Sequence, residues 1–158
     1  LGDVYKRQDY YECSLDQADF SKCSSPSTRS GLSDGQHSIQ VRAVDLLGNT
    51  SLISYKSWTV DTIAPIATLK RLKDKRYHSI TFSELVRAND MRYNALRIVH
   101  ARRGCRIYRI TALGAKQGYA SSFRLRTVHC SGSWRLVLRK GAIHDRAGNT
   151  APGRSWRA

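Results

Sequence analysis

Three groups of residues in this sequence could carry chemistry: cysteines in local pairs, two aspartates in identical settings, and a dense set of arginines. Cys13 lies near Cys23 and Cys105 near Cys130. No Cys-x-x-Cys occurs, and His37, His78, His100, His129 and His144 are scattered, so the sulfurs point to disulfides and not to zinc. Four cysteines allow three pairings, of which one bridge within each half of the chain is the simplest. Each such bridge would stabilise by about 3 kcal/mol. Disulfides persist outside the cytosol, which sets the expected location as extracellular or cell-surface.

Asp45 and Asp145 open the same motif, Asp45-Leu46-Leu47-Gly48-Asn49-Thr50 and Asp145-Arg146-Ala147-Gly148-Asn149-Thr150, 100 residues apart. Each is followed by a tryptophan, Trp58 after 13 positions and Trp156 after 11. The chain therefore reads as a tandem repeat whose period suits one β-sandwich domain. Calcium takes six to eight oxygens, and Asp45 or Asp145, helped by Glu84 or Asp61, could supply some of them. The plainer role is a tight turn, in which the aspartate accepts backbone amides while Gly48-Asn49 and Gly148-Asn149 take positive φ. With no dense Asp-x-Asp-x-Asp loop, no metal or cofactor is expected, and calcium is the one candidate ion.

The net charge of +15 is unevenly placed. Residues 1–62 carry six Lys/Arg against eight Asp/Glu, whereas residues 63–158 carry 21 against four. In the second half Arg124, Arg126, Arg135 and Arg139 alternate with apolar residues and should point outward. Rows of like charge on neighbouring strands destabilise a sheet by a few tenths to about 1 kcal/mol per pair. An anionic polymer (acidic glycan, lipopolysaccharide, nucleic acid) could neutralise them through bidentate arginine contacts; the alternative is a solvated face. Tyr108 beside Arg106 and Arg109 is too sparse an aromatic pattern for a base-stacking platform.

Nothing in the sequence suggests an enzyme. No Gly-x-Ser-x-Gly elbow, phosphate loop or His-Glu-x-x-His occurs, and Glu84 has no evident carboxylate partner for acid and base roles. No apolar stretch approaches the length of a membrane-spanning helix, so no membrane insertion is expected.

The elements that must position these residues read as strands. His37–Val44 alternates Ile39, Val41 and Ala43 with Ser38, Gln40 and Arg42, the pattern of a strand with one buried face. Further strands are expected over Tyr10–Leu15, Ser54–Val60, Ile66–Leu69, His78–Phe82, Ile107–Thr111, Ser122–Val128 and Trp134–Leu138, with a short edge strand over Ser27–Ser30. Lys70–Arg76 reads as a basic loop. Arg87–His100 is open between a helix carrying Met91, Ala95, Leu96 and Val99 and a set of turns around Asn89 and Asn94. The segment 60–65 is a candidate junction, because Pro65 restricts its predecessor and cannot donate to a ladder. Leu1–Gln8 looks like a translated sequencing-adaptor remnant, and the missing signal peptide is read as truncation.

The chain resembles the bacterial immunoglobulin-like repeats found in tandem in large secreted and cell-surface proteins. In residues 9–62 the resemblance rests on Tyr11-Glu12-Cys13-Ser14-Leu15-Asp16, Phe20 to Cys23, Gly31 to His37, and Val41-Arg42-Ala43-Val44-Asp45 running into Gly48-Asn49-Thr50. In residues 63–158, entered through Val60 to Pro65, it rests on Ile80 to Val86, Gly104-Cys105, Cys130-Ser131-Gly132 and Gly141 to Asn149. Leu85 departs from the family pattern, which has proline after the glutamate. The resemblance implies an all-β chain of two immunoglobulin-like sandwiches, the first lacking its early strands and so presenting an unpaired sheet edge. It implies a spacer or stalk in a bacterial extracellular or surface protein, with neighbouring repeats as partners and other domains presented at a distance. The alternative is an adhesion module that binds anionic polymers through the second domain.

Overall fold

The computed structural model describes residues 8–158, and the chain is all-β, with antiparallel strands, one short 3-10 turn and no α-helix among the described residues. The adaptor-like opening lies outside the described residues except for Gln8. Two units divide the chain, the first ending at Asp61 and the second covering Thr62–Ala158.

The first unit holds β1 (Gln8–Leu15), β2 (Ser21–Cys23), β3 (Gly35–Asp45) and β4 (Ser54–Val60) in one sheet of order β2-β1-β3-β4. The turn from β1 to β2 is tight because Asp16 and Gln17 both take positive φ, a conformation that Asp tolerates through local hydrogen bonding. The expected alternation in β3 is only partly realised: Ile39, Val41 and Ala43 are half-buried, and so are Ser38, Gln40 and Arg42. Long side chains cover the polar positions. The Arg42 guanidinium bonds Glu12 at 2.7 and 2.8 Å and lies 4.1 Å from the Phe20 ring centre. Ser27–Ser30 forms no strand; all four residues are exposed, and the segment has no apolar side chain to bury between Pro26 and Gly31.

The second unit is sandwich-like. One sheet, of order β5-β6-β9-β8, contains β5 (Ala67–Arg71), β6 (Tyr77–Arg87), β8 (Arg106–Leu113) and β9 (Tyr119–Val128). The other, of order β11-β10-β7, contains β7 (Leu96–Val99), β10 (Arg135–Leu138) and β11 (Arg154–Arg157). Ile80, Phe82 and Val86 of β6 and Phe123 and Leu125 of β9 share one buried cluster with Leu96 of β7 and Leu136 and Leu138 of β10. Removal of this apolar area from water, roughly 1.5–3 kcal/mol per large side chain, is what holds the two sheets face to face.

Segment 87–100 resolves in favour of turns. A 3-10 turn at Ala88–Asp90 leads to β7, and Met91, Ala95 and Leu96 are buried because this crossover passes over the core as the chain changes sheets. The basic loop is shorter than expected, since Lys70 and Arg71 belong to β5.

Candidate functional site

The repeated aspartates close two related turns, which share the bonds to asparagine and differ in the second amide held. In the first, Asp45 Oδ1 accepts the Leu47 and Asn49 amides at 2.9 and 2.8 Å, and Oδ2 accepts Asn49 Nδ2 at 2.9 Å. In the second, Asp145 Oδ1 accepts the Gly148 and Asn149 amides at 2.6 and 2.8 Å, and Oδ2 accepts Asn149 Nδ2 at 2.9 Å. Positive φ is confined to the glycines, +85° at Gly48 and +98° at Gly148. The asparagines do not share it, because their side chains are held by the aspartate. Each turn leads into the strand bearing the tryptophan, β4 for Trp58 and β11 for Trp156.

The turns differ in burial. Asp145 is fully buried, whereas Asp45 is half-buried and followed by five exposed residues. The carboxylates of Asp145 and Glu84 approach within 4.8 Å, so the two candidate calcium ligands of the second unit do come together. Asp145 nevertheless commits both oxygens to the turn through three hydrogen bonds, which gives it a turn-closing role that needs no ion.

Both disulfides are local. Cys13–Cys23 links β1 to β2, where the register pairs Tyr11 with Cys23 and Cys13 with Ser21, at a Cα separation of 5.8 Å. Cys105–Cys130 ties the start of β8 to the segment after β9 at 4.4 Å. Free cysteines are absent among the described residues. These bridges place the chain in a non-reducing environment. Among the described residues no helix is long and apolar enough to cross a membrane.

Two histidines carry structural roles that their scatter in the sequence conceals. His37 of β3 is buried, with Nδ1 2.7 Å from Asp16 Oδ2 and Nε2 2.8 Å from the Ser33 carbonyl, so both ring nitrogens face acceptors. Only the imidazolium can donate to both. The Ser33 carbonyl and then the Asp16 carboxylate raise its pKa above the usual value. His78 of β6 is the opposite case: buried edge-on against Trp134 at 5.2 Å, its two nitrogens meet no acceptor or donor among the described residues. Burial, with Arg71 nearby, pushes its pKa down.

The four arginines singled out from the sequence do not form one patch. Arg124 and Arg126 lie on β9, Arg135 lies on β10 in the other sheet, and Arg139 follows β10 and donates to the Asn94 carbonyl at 3.0 Å. The inward residues of β9 and β10 meet in the shared core, so their outward residues face opposite ways. Arg124 and Arg126 instead join Arg109 of β8, with Tyr77 and Thr111, around a notch of about 210 Å³. The register sets Arg109 directly opposite Arg126, with Tyr77 on its other side, and Arg124 between Ser79 and Thr111. Direct opposition of two arginines costs a few tenths to about 1 kcal/mol if nothing neutralises them. Arg109 was missed because a bulge between Ile107 and Arg109 shifts the β8 register, and no sequence pattern announces a bulge of this kind.

The nearest carboxylate is already engaged. Asp74 forms a bidentate bridge with Arg76, Oδ2 to Nη2 at 2.8 Å, and these bonds hold its pKa at about 2. No family model matches the chain, and no curated protein matches it.

Proposed function

We propose that the chain is a spacer segment of an extracellular or surface protein, made of immunoglobulin-like β-modules in series that carry other domains at a distance. The observation that carries this reading is the repetition of one structural device. In each unit an Asp-x-x-Gly-Asn turn, in which the aspartate holds the asparagine amide and side chain, feeds a tryptophan-bearing strand. Each unit also closes a disulfide of its own between nearby segments. Duplication of a module lengthens a protein without adding chemistry, which is how repeat proteins gain reach. A bacterial surface protein is the setting that the sequence resemblance suggests, and flanking repeats are the partners it implies.

A spacer must bear load. Pulled from its ends in oxidised form, the full chain should unfold with distinct force peaks, because antiparallel strands bonded along their length resist extension. The disulfide-enclosed loops, with sequence separations of 10 and 25, should not contribute to its extended length. Reduction should then lengthen the chain by roughly 35 Å and 85 Å at about 3.4 Å per residue. Extension of the oxidised chain without measurable resistance would contradict a load-bearing role.

A further inference from the structure

The second unit has four side-chain carboxylates, and of these Asp74, whose hydrogen bonds go to Arg76, also acts electrostatically on Arg126 of the guanidinium cluster on β8 and β9. Asp74 is bridged to Arg76, Asp90 to His144 at 2.8 Å, and Glu84 and Asp145 lie beside each other. Arg109, Arg124 and Arg126 nevertheless line one small notch, and Lys73 and Asp74 join Arg124 in the adjoining depression. Arg126 adds a sharper anomaly. Its guanidinium lies 5.0 Å from the Tyr108 ring centre, and its Nε is shut off from solvent with no acceptor among the described residues. A buried, unsatisfied donor on a charged group is costly to keep, and an anion in the notch would offset the charge of Arg126 and its repulsion with Arg109.

We propose that the notch bounded by Tyr77, Arg109, Thr111, Arg124 and Arg126 binds a sulfate or phosphate ester group carried on an acidic polysaccharide. Three guanidiniums around one small volume suit a tetrahedral group with three terminal oxygens better than a carboxylate, whose two oxygens one bidentate arginine already occupies. The Thr111 hydroxyl and the Tyr77 ring add a hydroxyl partner and an apolar wall for the attached sugar. Nucleic acid fits less well, because the Tyr108 face that a base would stack on is taken by Arg126. The non-reducing setting of the disulfides is also where charged glycans are met. The assignment goes beyond the spacer role and does not depend on it.

Calorimetric titration of the full oxidised chain with heparin, a sulfated glycan, tests the site. Saturable binding is expected at about 50 mM salt, weakening steeply as salt rises. The double variant Arg109→Gln/Arg124→Gln alters two exposed side chains and should bind roughly a hundredfold more weakly, about tenfold per lost charge-assisted contact. Arg126→Lys keeps the charge but not the fork, and should also weaken binding. Arg97→Gln/Arg135→Gln removes the same charge from the other sheet and should change affinity less than about threefold, the size of a screened long-range effect. Desulfated heparin, which keeps its carboxylates, and a single-stranded oligonucleotide should both bind more weakly than heparin. The proposal is overturned if heparin shows no saturable binding, if both double variants lose affinity equally, or if either comparison polymer binds as tightly as heparin.

Discussion

Replacing Asp145 by alanine should destabilise the second unit much more than Asp45→Ala destabilises the first, although each aspartate accepts three bonds within its turn. Asp145 accepts three hydrogen bonds from a fully buried position. Bonds to a charged acceptor are each worth about 1.5–3 kcal/mol, but three donors on one carboxylate are not additive, so the expected loss is about 3–4 kcal/mol. Relief of repulsion from Glu84, within 4.8 Å, is included in the lower end of that range. Around Asp45 the residues from Leu46 to Thr50 are exposed, so water replaces the carboxylate and the loss should be about 1 kcal/mol. Asp145→Asn keeps one carbonyl oxygen and should fall between. Hydrogen exchange of the full chain, followed peptide by peptide, reads each unit's opening free energy in one experiment. Equal losses in the two units, or a larger one for Asp45→Ala, would refute the claim that burial separates these two related turns.

The two units should respond oppositely to pH. His37 has a raised pKa in the folded state, so its contribution to the first unit is fully present below the unfolded value of about 6.5 and is lost as pH rises through the folded pKa. Histidine NMR titration should find His37 above that value, and His37→Gln should abolish the alkaline loss of protection. His78 has a lowered pKa, so its contribution is present above about 6.5 and declines as pH falls towards the folded pKa. The second unit should therefore weaken on mild acidification, and His78→Phe should blunt this response. Removing Cys105–Cys130 by paired serine substitutions should destabilise the second unit by about 3.5 kcal/mol, and removing Cys13–Cys23 the first by about 2.7 kcal/mol, from the loop entropy of separations of 25 and 10. Unchanged denaturation midpoints would contradict both figures.

Strand positions were legible where apolar and polar residues alternate, as in β3, β9 and β10, because side-chain direction in a strand follows a period of two. The Asp-x-x-Gly-Asn turns were legible because few residues other than glycine accept the required φ. The spurious strand at Ser27–Ser30 came from turn residues on both sides of it, which bound a segment without giving it a face to bury. The ambiguity at residues 87–100 has a similar cause: a chain crossing a core edge buries Met91 and Ala95 at helical spacing without forming a helix. The arginine site was half-visible. Arg124 and Arg126 share a face by their spacing alone, but the assignment of β10 to the other sheet removes Arg135, and the β8 bulge brings in Arg109. Sheet partnership and register are long-range properties that local pattern does not encode. The roles of His37 and His78 were hidden for the same reason, since each depends on what packs against a single side chain.

Each unit is locked by its own sulfur bridge. Peptide mapping by mass spectrometry of the chain secreted into an oxidising compartment, digested without reduction, tests this most directly. Cys13 should be recovered joined to Cys23 and Cys105 joined to Cys130. Recovery of free thiols at these positions, or of a bridge joining a cysteine of the first pair to one of the second, would contradict it.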